Sequence, residues 1–336
     1  MHKLSFIVPY HNEDESLLIP LLSMLNVQTD IDWEDIEVII SNNCEQPKKL
    51  DNFFRNYPKV YPSIKYVECP NKSGMGQNRQ YGLDIADGEY VMFSDCDDSL
   101  MSPLSLSIVM EIISSKENMY LSPFYSERKR SVFEVDCYLE EFVSSYLLHG
   151  KVFKRSFLVD NGIHFCPHIF AAEDLFFMSV CSHLSQFSKF NDMIYLWRFR
   201  EDSVSNEIGN YLNKYLFDGM LYPYYVMEFL SNHSSISGEK LLNAFSVCMV
   251  YMYGERVRLS ETTAIGDEIT AYIYQRFEFI HKGRIDEIFK NLNAADFLIE
   301  WLNSIKDIDT SGVREKYNIQ EMTRYEYKPT EINYIK

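Results

Sequence analysis

No stretch of this chain approaches the roughly 18 uncharged apolar residues that a membrane-spanning helix needs. The opening segment, MHKLSFIVPYHNEDE, turns acidic after a short apolar run, which argues against a secretory signal peptide. Zinc-module spacing is missing too. The seven cysteines stand apart at 44, 69, 96, 137, 166, 181 and 248 with no C-x-x-C pair, so reduced, mostly buried thiols in a reducing compartment are expected. Basic charge is scarce: 32 Lys+Arg against 49 Asp+Glu give a net charge of −17. Without clustered Lys and Arg there is no general grip on nucleic acid. No internal repeat or low-complexity tract occurs, and a composition 46% hydrophobic and 24% charged is wrong for a disordered chain. Together these absences predict a soluble, cytoplasmic protein. Peripheral contact with a membrane surface and self-association stay open.

What is present is aromatic and alternating. The chain holds 24 Tyr and 23 Phe in 336 residues, a length that suggests about two domains at roughly 150 residues each. Over residues 1–205, short apolar runs alternate with amphipathic ones. Leu4–Pro9, Ile36–Ser41, Ile64–Glu68 and Glu89–Ser94 read as strands. Ser16–Leu25 and Gly76–Ala86 read as helices, as does a segment from Pro103 to about Ser115. That order predicts parallel βαβ units and a Rossmann-like sheet covered on both faces. Most of the acidic excess lies in this half. Residues 206–336 carry long amphipathic segments instead: Leu212–Leu230, Lys240–Val257, Ile265–Phe279 and Asn293–Ile305. Asn293, followed by Asp296, reads as a helix N-cap with an acid in the first turn. An α-helical C-terminal region is expected, with the last dozen residues loosely ordered.

The chemistry is concentrated in a few segments. FSDCDDSL (93–100) places Asp95, Asp97 and Asp98 where an apolar strand ends. In open α/β sheets that end faces the ligand crevice, and carboxylates at a turn can converge on a hard cation such as Mg²⁺ or Mn²⁺. An Asp-rich turn capping the next helix is the plainer alternative. NKSGMGQNRQYGL (71–83) has two glycines, which permit close backbone approach to a ligand, and Arg79, which can reach a diphosphate. It does not satisfy G-x-G-x-x-G and follows the third strand, which disfavours a nicotinamide enzyme. In AAEDLFF (171–177), Glu173-Asp174 precede an apolar helical run. They serve either the helix dipole or a general-base role at a crevice wall. YLWRFREDSVS (195–205) adds Arg198 and Arg200 among aromatics.

The ordered series SFIVPYHNEDESL, VIISNN, NKSGMGQNRQYGLDIADGEYVMFSDCDD, GKVFKRSFLVDNGIHFCPHIFAAED and YLWRFREDSVS resembles the family 2 glycosyltransferases of GT-A fold over residues 4–205. The resemblance implies a GT-A catalytic domain at 1–205 followed by a helical region at 206–336 for acceptor binding, oligomerisation or membrane contact. It implies transfer of a hexose or N-acetylhexosamine from a nucleotide-diphospho-sugar, with a divalent cation and inversion at the anomeric carbon. A hydroxyl of a glycan or lipid-linked glycan is the implied acceptor, with protein or modified nucleic acid as alternatives. Carried over by position, Pro9, Tyr10 and Glu13 border the nucleoside, and Arg79 lies near the base or phosphates. Asp95 faces the ribose, Asp97 ligates the metal (Mn²⁺ or Mg²⁺), and Asp174 is the catalytic base. Two departures stand out. The acidic turn after the second strand is replaced by Ser41-Asn42-Asn43-Cys44, leaving Asn42 to accept from a base such as uracil. Arg200 occupies a position where many members carry a metal-ligating His, and with Arg198 it is expected to pair with phosphate instead.

A nucleotidyltransferase would show a Gly-rich Lys/Arg loop after the first strand, where this chain has PYHNEDE. A non-catalytic nucleotide-sugar-binding protein is favoured by the lost acidic turn and opposed by the intact Asp95, Asp97 and Asp174. Four other features are read as structural. His164 and His168 flank Pro167 and are not expected to form a zinc pair. His11 is expected to be solvated. The aromatic stripe Tyr211–Phe229, which Pro223 is expected to interrupt, reads as a packing face or dimer contact. Arg128-Lys129-Arg130 reads as a solvated loop.

Overall fold

The computed structural model describes residues 2–11, 13–44, 64–70, 74–127, 131–133, 147–170, 172–200, 210–258, 263–277 and 295–327. Asn293, the Arg128-Lys129-Arg130 cluster, Cys137 and the boundary expected at 205/206 lie outside them. Among the described residues the main sheet has seven strands. They are β1 (Leu4–Tyr10), β2 (Ile36–Asn42), β3 (Ile64–Glu68), β4 (Tyr90–Phe93), β6 (Met119–Leu121), β9 (Lys151–Lys154) and β10 (Ser188–Lys189). The order is β10-β6-β9-β4-β1-β2-β3. The strands from β4 to β3 run parallel, with Leu4 opposite both Ile36 and Tyr90. β9 is inserted antiparallel between β4 and β6. The sheet is thus mixed rather than built from βαβ units alone. A smaller sheet joins β5 (Ser99–Leu100), β11 (Tyr195–Trp197), β7 (Phe124–Ser126) and β8 (Ser131–Phe133).

The two-residue period of the strands divides the core. Ile7, Ile39, Val91, Phe93 and Phe153 point to one face, while Phe6, Val8, Val38, Ile40 and Met92 point to the other. The second face is covered by Leu18, Leu21, Leu22 and Leu25 of α1 (Leu18–Asn26). The first is covered by Tyr81, Leu83 and Ile85 of α2 (Met75–Ile85). α3 (Ser105–Ile112) adds Leu106 and Val109 to the α1 side. After α4 (Arg155–Asp160) comes α5 (Glu173–Leu184), whose Leu175, Phe176, Phe177, Met178 and Val180 join the α2 side. The strand and helix positions expected from sequence are reproduced to within a few residues.

The expected helical region is present as α6 (Asn210–Ser231), α7 (Gly238–Arg258), α8 (Thr263–Arg276), α9 (Ala295–Ile305) and the short α10 (Val313–Lys316). The expected interruption at Pro223 does not occur, and α6 runs through it. A mid-helix proline costs about 3 kcal/mol. Here Met220, Leu221, Tyr222, Tyr224, Tyr225, Val226, Met227 and Leu230 are all buried around it, and burial of several such side chains outweighs that cost. Over residues 217–229 the aromatic stripe is therefore a packing face. One apolar cluster runs from Ile7 of the sheet through α5 to Ile319, so the two halves share a core. Residues 319–327 then return to the α/β half. Tyr325 stacks on His164 at 4.8 Å and donates to Asp84 Oδ2 at 2.5 Å, and the Tyr327 hydroxyl donates to the Ile163 carbonyl. His164 is a core residue with Nδ1 2.9 Å from the Gly162 carbonyl oxygen. Among the described residues the six free cysteines are buried. No described helix is long and apolar enough to cross a membrane.

Candidate active site

At the carboxyl ends of β1 and β4, the start of α2 brings the Asn78 side-chain amide to the Tyr10 carbonyl and Arg79 to Asp95. That helix starts at Gly74, a residue at φ +92° that a side chain would strain. One turn before Arg79, a Cβ on Gly76 would lie 2.9 Å from the Glu173 Cβ. The close approach that this glycine permits is therefore to α5, a protein partner. The Arg79 guanidinium is buried and reaches three carboxylates. Nη1 donates to Glu173 Oε1 and to Asp174 Oδ1, both at 3.0 Å, and Nη2 donates to Asp95 Oδ1 at 2.7 Å. Exposure grades the acids: the side chains are 32% exposed for Asp95, 20% for Asp174 and 10% for Glu173. Asp95 and Asp174 thus open toward solvent while Glu173 lies behind them.

The Asp-rich turn divides its work. Asp98 is buried, with Oδ2 accepting from the Tyr195 hydroxyl at 2.5 Å and Oδ1 from the Arg198 amide at 3.0 Å. It anchors the turn to β11. The same Tyr195 hydroxyl accepts from the Asp95 amide at 3.1 Å. Asp97 faces Arg200, whose Nε lies 3.6 Å from Oδ2, and Arg198 Nη1 donates to the Asp97 carbonyl at 3.2 Å. His149 is stacked on Tyr195 at 4.7 Å with Nε2 3.6 Å from Asp95 and 3.5 Å from Asp98. Asp95, Asp98 and His149 offer ligand atoms mutually within 4.8 Å. Both oxygens of Asp98 are already accepting, however, so the outward-facing oxygen donors are those of Asp95 and Asp97. Such a hard carboxylate set suits Mg²⁺ or Mn²⁺.

Burial and like charge raise the ionisation points here. Burial pushes the Asp98, Asp97 and Asp174 carboxyls up, with Asp95 adding to each. Glu173 is pushed up by burial and then by Asp174. For Asp95, Arg79 and His149 overcome burial, and its carboxyl is held below the usual range. Lys151 on β9 is fully buried, its Nζ donating to the His149 carbonyl at 3.1 Å, and burial pushes it down to about 7.

The residues singled out from sequence mostly meet at this end of the sheet. Arg79, Asp95 and Asp174 are in direct contact, and Asp97 pairs with Arg200. Pro9 and Tyr10 end β1, with the Tyr10 hydroxyl donating to the Glu13 carbonyl at 2.6 Å and the Glu13 carboxylate accepting from the His11 amide at 2.5 Å. His11 is tied to Asn43 at 2.8 Å. Asn42 is turned inward: Nδ2 donates to the Tyr66 hydroxyl at 2.6 Å and Oδ1 accepts from the Cys44 amide at 2.9 Å. Sequence reasoning passed over His149 and Lys151. Each is a lone residue in LLHGKVF, and nothing in their spacing links them to residues about 50 positions earlier. Glu173 is visible from sequence as a helix-start acid or as part of a general-base pair, but not as a partner of Arg79.

Residues 5–175 match the model of glycosyl transferase family 2. The chain is 29% identical over 210 residues to the poly(ribitol-phosphate) beta-glucosyltransferase of Bacillus spizizenii, covering 60% of this chain and 33% of that protein. It is 38% identical over 114 residues to the GalNAc(5)-diNAcBac-PP-undecaprenol beta-1,3-glucosyltransferase of Campylobacter jejuni, covering 33% and 34%. The chain thus spans about a third of the length of these curated relatives. Staphylococcus aureus TarS 1-349, solved in complex with UDP-GlcNAc, shares the fold of both halves. Its TM-score is 0.66 at 18% identity, over 94% of this chain and 92% of that one. The fold is therefore GT-A with a helical C-terminal region, and the chain belongs to glycosyl transferase family 2.

Proposed function

We propose that the protein is an inverting, metal-dependent glycosyltransferase that moves a hexosyl or N-acetylhexosaminyl group from a UDP-sugar to a hydroxyl of a cell-surface glycan, polyol-phosphate polymers included. The observation that carries this reading is the pairing of two acid sets across one buried arginine. Asp95 and Asp97 stand at the strand ends, and Asp174 opens from the opposite helix. A sugar hydroxyl is a poor nucleophile, so a positioned carboxylate must take its proton as the new bond forms. Asp174 fits that role better than Glu173 because it is the more exposed of the pair and lies across from the donor-facing turn. Attack from that side on a sugar whose diphosphate lies by Asp97 is a single displacement, hence inversion.

Metal dependence is supported by charge. Around Asp97 lie Asp95, Asp98 and Glu13, whose like charges act on one another. A nucleotide diphosphate adds further negative charge and needs a cation to enter. Asp97 would hold it, and a divalent cation bound there supplies electrostatic stabilisation of the departing diphosphate. Asp95 orients the ribose, Tyr195 and Asp98 hold the turn in register, and Arg200 stands where it can share the phosphate charge. Uridine is favoured by the relatives named for UDP-sugar complexes, with β1's end and Glu13 bordering the nucleoside. Asn42 reaches the base only if its inward hydrogen bonds are exchanged. The shared core of sheet and helices supports residues 206–336 as the acceptor-side wall of the same enzyme. The net charge of −17 argues for a glycan acceptor over nucleic acid.

The test is a panel of nucleotide sugars with Mn²⁺ or Mg²⁺, read as nucleotide release and as protection against heat. Metal-dependent binding and release with a UDP-sugar is expected. Binding of no nucleotide sugar with either metal overturns the proposal.

A further inference from the structure

We propose that Arg79 is a positioning residue rather than a donor ligand: it ties the donor-facing carboxylate Asp95 to the acid pair Glu173–Asp174 and, through Asp174, sets the state of the base. This rests on the reading of the site given above. Two of its three nitrogens are committed to carboxylates at 2.7–3.0 Å, and the third, Nε, is itself buried. Three of the five N–H groups of this buried guanidinium are thus taken by protein carboxylates. The fork joins three separate elements, the turn after β4, α2 and the first turn of α5. A planar guanidinium spans such a set, whereas a lysine ammonium is a point charge. Gly76 and Arg79 are three residues apart and share a helix face, so the glycine that lets α5 approach also sets the reach of the arginine.

Asp174 is faced from every side by charged or polar groups. Arg79 comes from α2, Asp95 from the end of β4 and Glu173 from its own helix. His149 and the Leu148 amide come from the segment before β9, and Lys151 comes from β9 itself. Arg79 is the cation in direct hydrogen-bond contact with it. Asp95 gives Oδ1 to Arg79, so the carboxylate that would hold a donor's ribose and the base Asp174 share this guanidinium. Donor binding and the readiness of the base are thereby linked through one side chain.

The experiment compares the full-length wild type with Arg79→Met and Arg79→Lys. It uses the UDP-sugar that the wild type turns over fastest with Mn²⁺, water standing in as acceptor. KM and kcat are followed across pH, and UDP–Mn²⁺ binding is measured by calorimetry. For Arg79→Met we expect kcat to fall about 10²- to 10³-fold, with UDP affinity within about threefold of wild type. The acid limb of the kcat profile should move up by about one pH unit or more, because loss of a cation within 4 Å raises a carboxyl. Arg79→Lys should restore part of the limb position and little of kcat, and it decides the matter alone if the Met variant does not fold. Loss of UDP affinity in parallel with kcat, with an unmoved limb, would make Arg79 a donor ligand and overturn the inference while leaving the transferase intact. A wild type that releases nucleotide from no donor overturns both.

Discussion

The two ends of the main sheet carry similar side chains and use them differently. At the amino ends of the strands, His2, Glu37 and Asp87 offer ligand atoms close enough for a cation. That place is already taken. Lys65 and Ser5 both donate to Glu37, the Asp87 amide donates to it at 2.7 Å, and His2 is paired with Asp87. Lys65 also lies 3.7 Å from Asp87. At the carboxyl ends, one buried guanidinium serves three carboxylates, and Asp97 adds a fourth acid that faces Arg200 at 3.6 Å. In the first cluster each carboxylate is held by close donors, and the cluster ties the strand starts together. The second crowds Asp95, Asp97 and Asp98 onto one turn, where their like charges act on one another. Crowding of like charge, more than residue type, separates a structural cluster from a working one.

The sharpest way to break this comparison is at the base. Asp174→Asn should lower turnover by about 10³-fold or more, since general-base catalysis contributes about 10²–10⁴, while UDP–Mn²⁺ binding stays within a few-fold. Turnover near that of the wild type would move the base elsewhere, Glu173 being the neighbour to test. Next in size is Asp97→Asn, expected to weaken Mn²⁺-dependent UDP binding by about 10- to 100-fold, because one carboxylate ligand is replaced by a neutral amide. Calorimetry with and without Mn²⁺ measures it. An unchanged metal dependence would shift the cation to Asp95 and its His149 neighbour.

How much of this could be read in the chain follows from range. The strand runs LSFIVP, IEVIIS and IKYVE announce themselves because parallel strands are buried on both faces. FSDCDD then marks a strand end by composition alone. The long-range partners have no such signature. β9 enters the sheet antiparallel with only KVFK to show for it. Pro223 reads locally as a helix breaker, and tertiary burial overrides it. The clip on Arg79 needs three segments separated by up to 95 positions, so the arginine looks like a phosphate ligand until its neighbours are in place. Asn42 looks like a base contact until Tyr66 and Cys44 are seen to hold it.

The amino end of the sheet should respond in stability and not in rate. In Glu37→Gln the new amide would point a donor at the Lys65 ammonium inside a buried site, a cost of about 2–3 kcal/mol. Urea unfolding should show that loss while kcat at saturating donor stays within about twofold. A fall in kcat without a fall in stability would mean that the two ends of the sheet communicate, and the separation drawn above would fail.

Asp84 offers the smallest and most specific test, because it is an acid held by hydrogen bonds in place of a close cation. Tyr325 donates to Oδ2 at 2.5 Å and Gln80 Nε2 to Oδ1 at 2.8 Å. Burial pushes the carboxyl up to about 6, against which those bonds and Arg155 act in the opposite sense. A carboxyl raised in the folded state binds its proton more tightly there than in the unfolded chain. Its contribution to stability is therefore fully present below about pH 4 and is lost as pH rises through about 6. Discounted for partial exposure, the loss is about 1 kcal/mol. Asp84→Asn cannot titrate, so the difference in unfolding free energy between wild type and variant should change by about that amount between pH 4 and pH 7. A flat Asp84 curve would mean that water reaches the carboxyl and that residues 319–327 lie less firmly on the α/β half than the Tyr325 stack on His164 indicates.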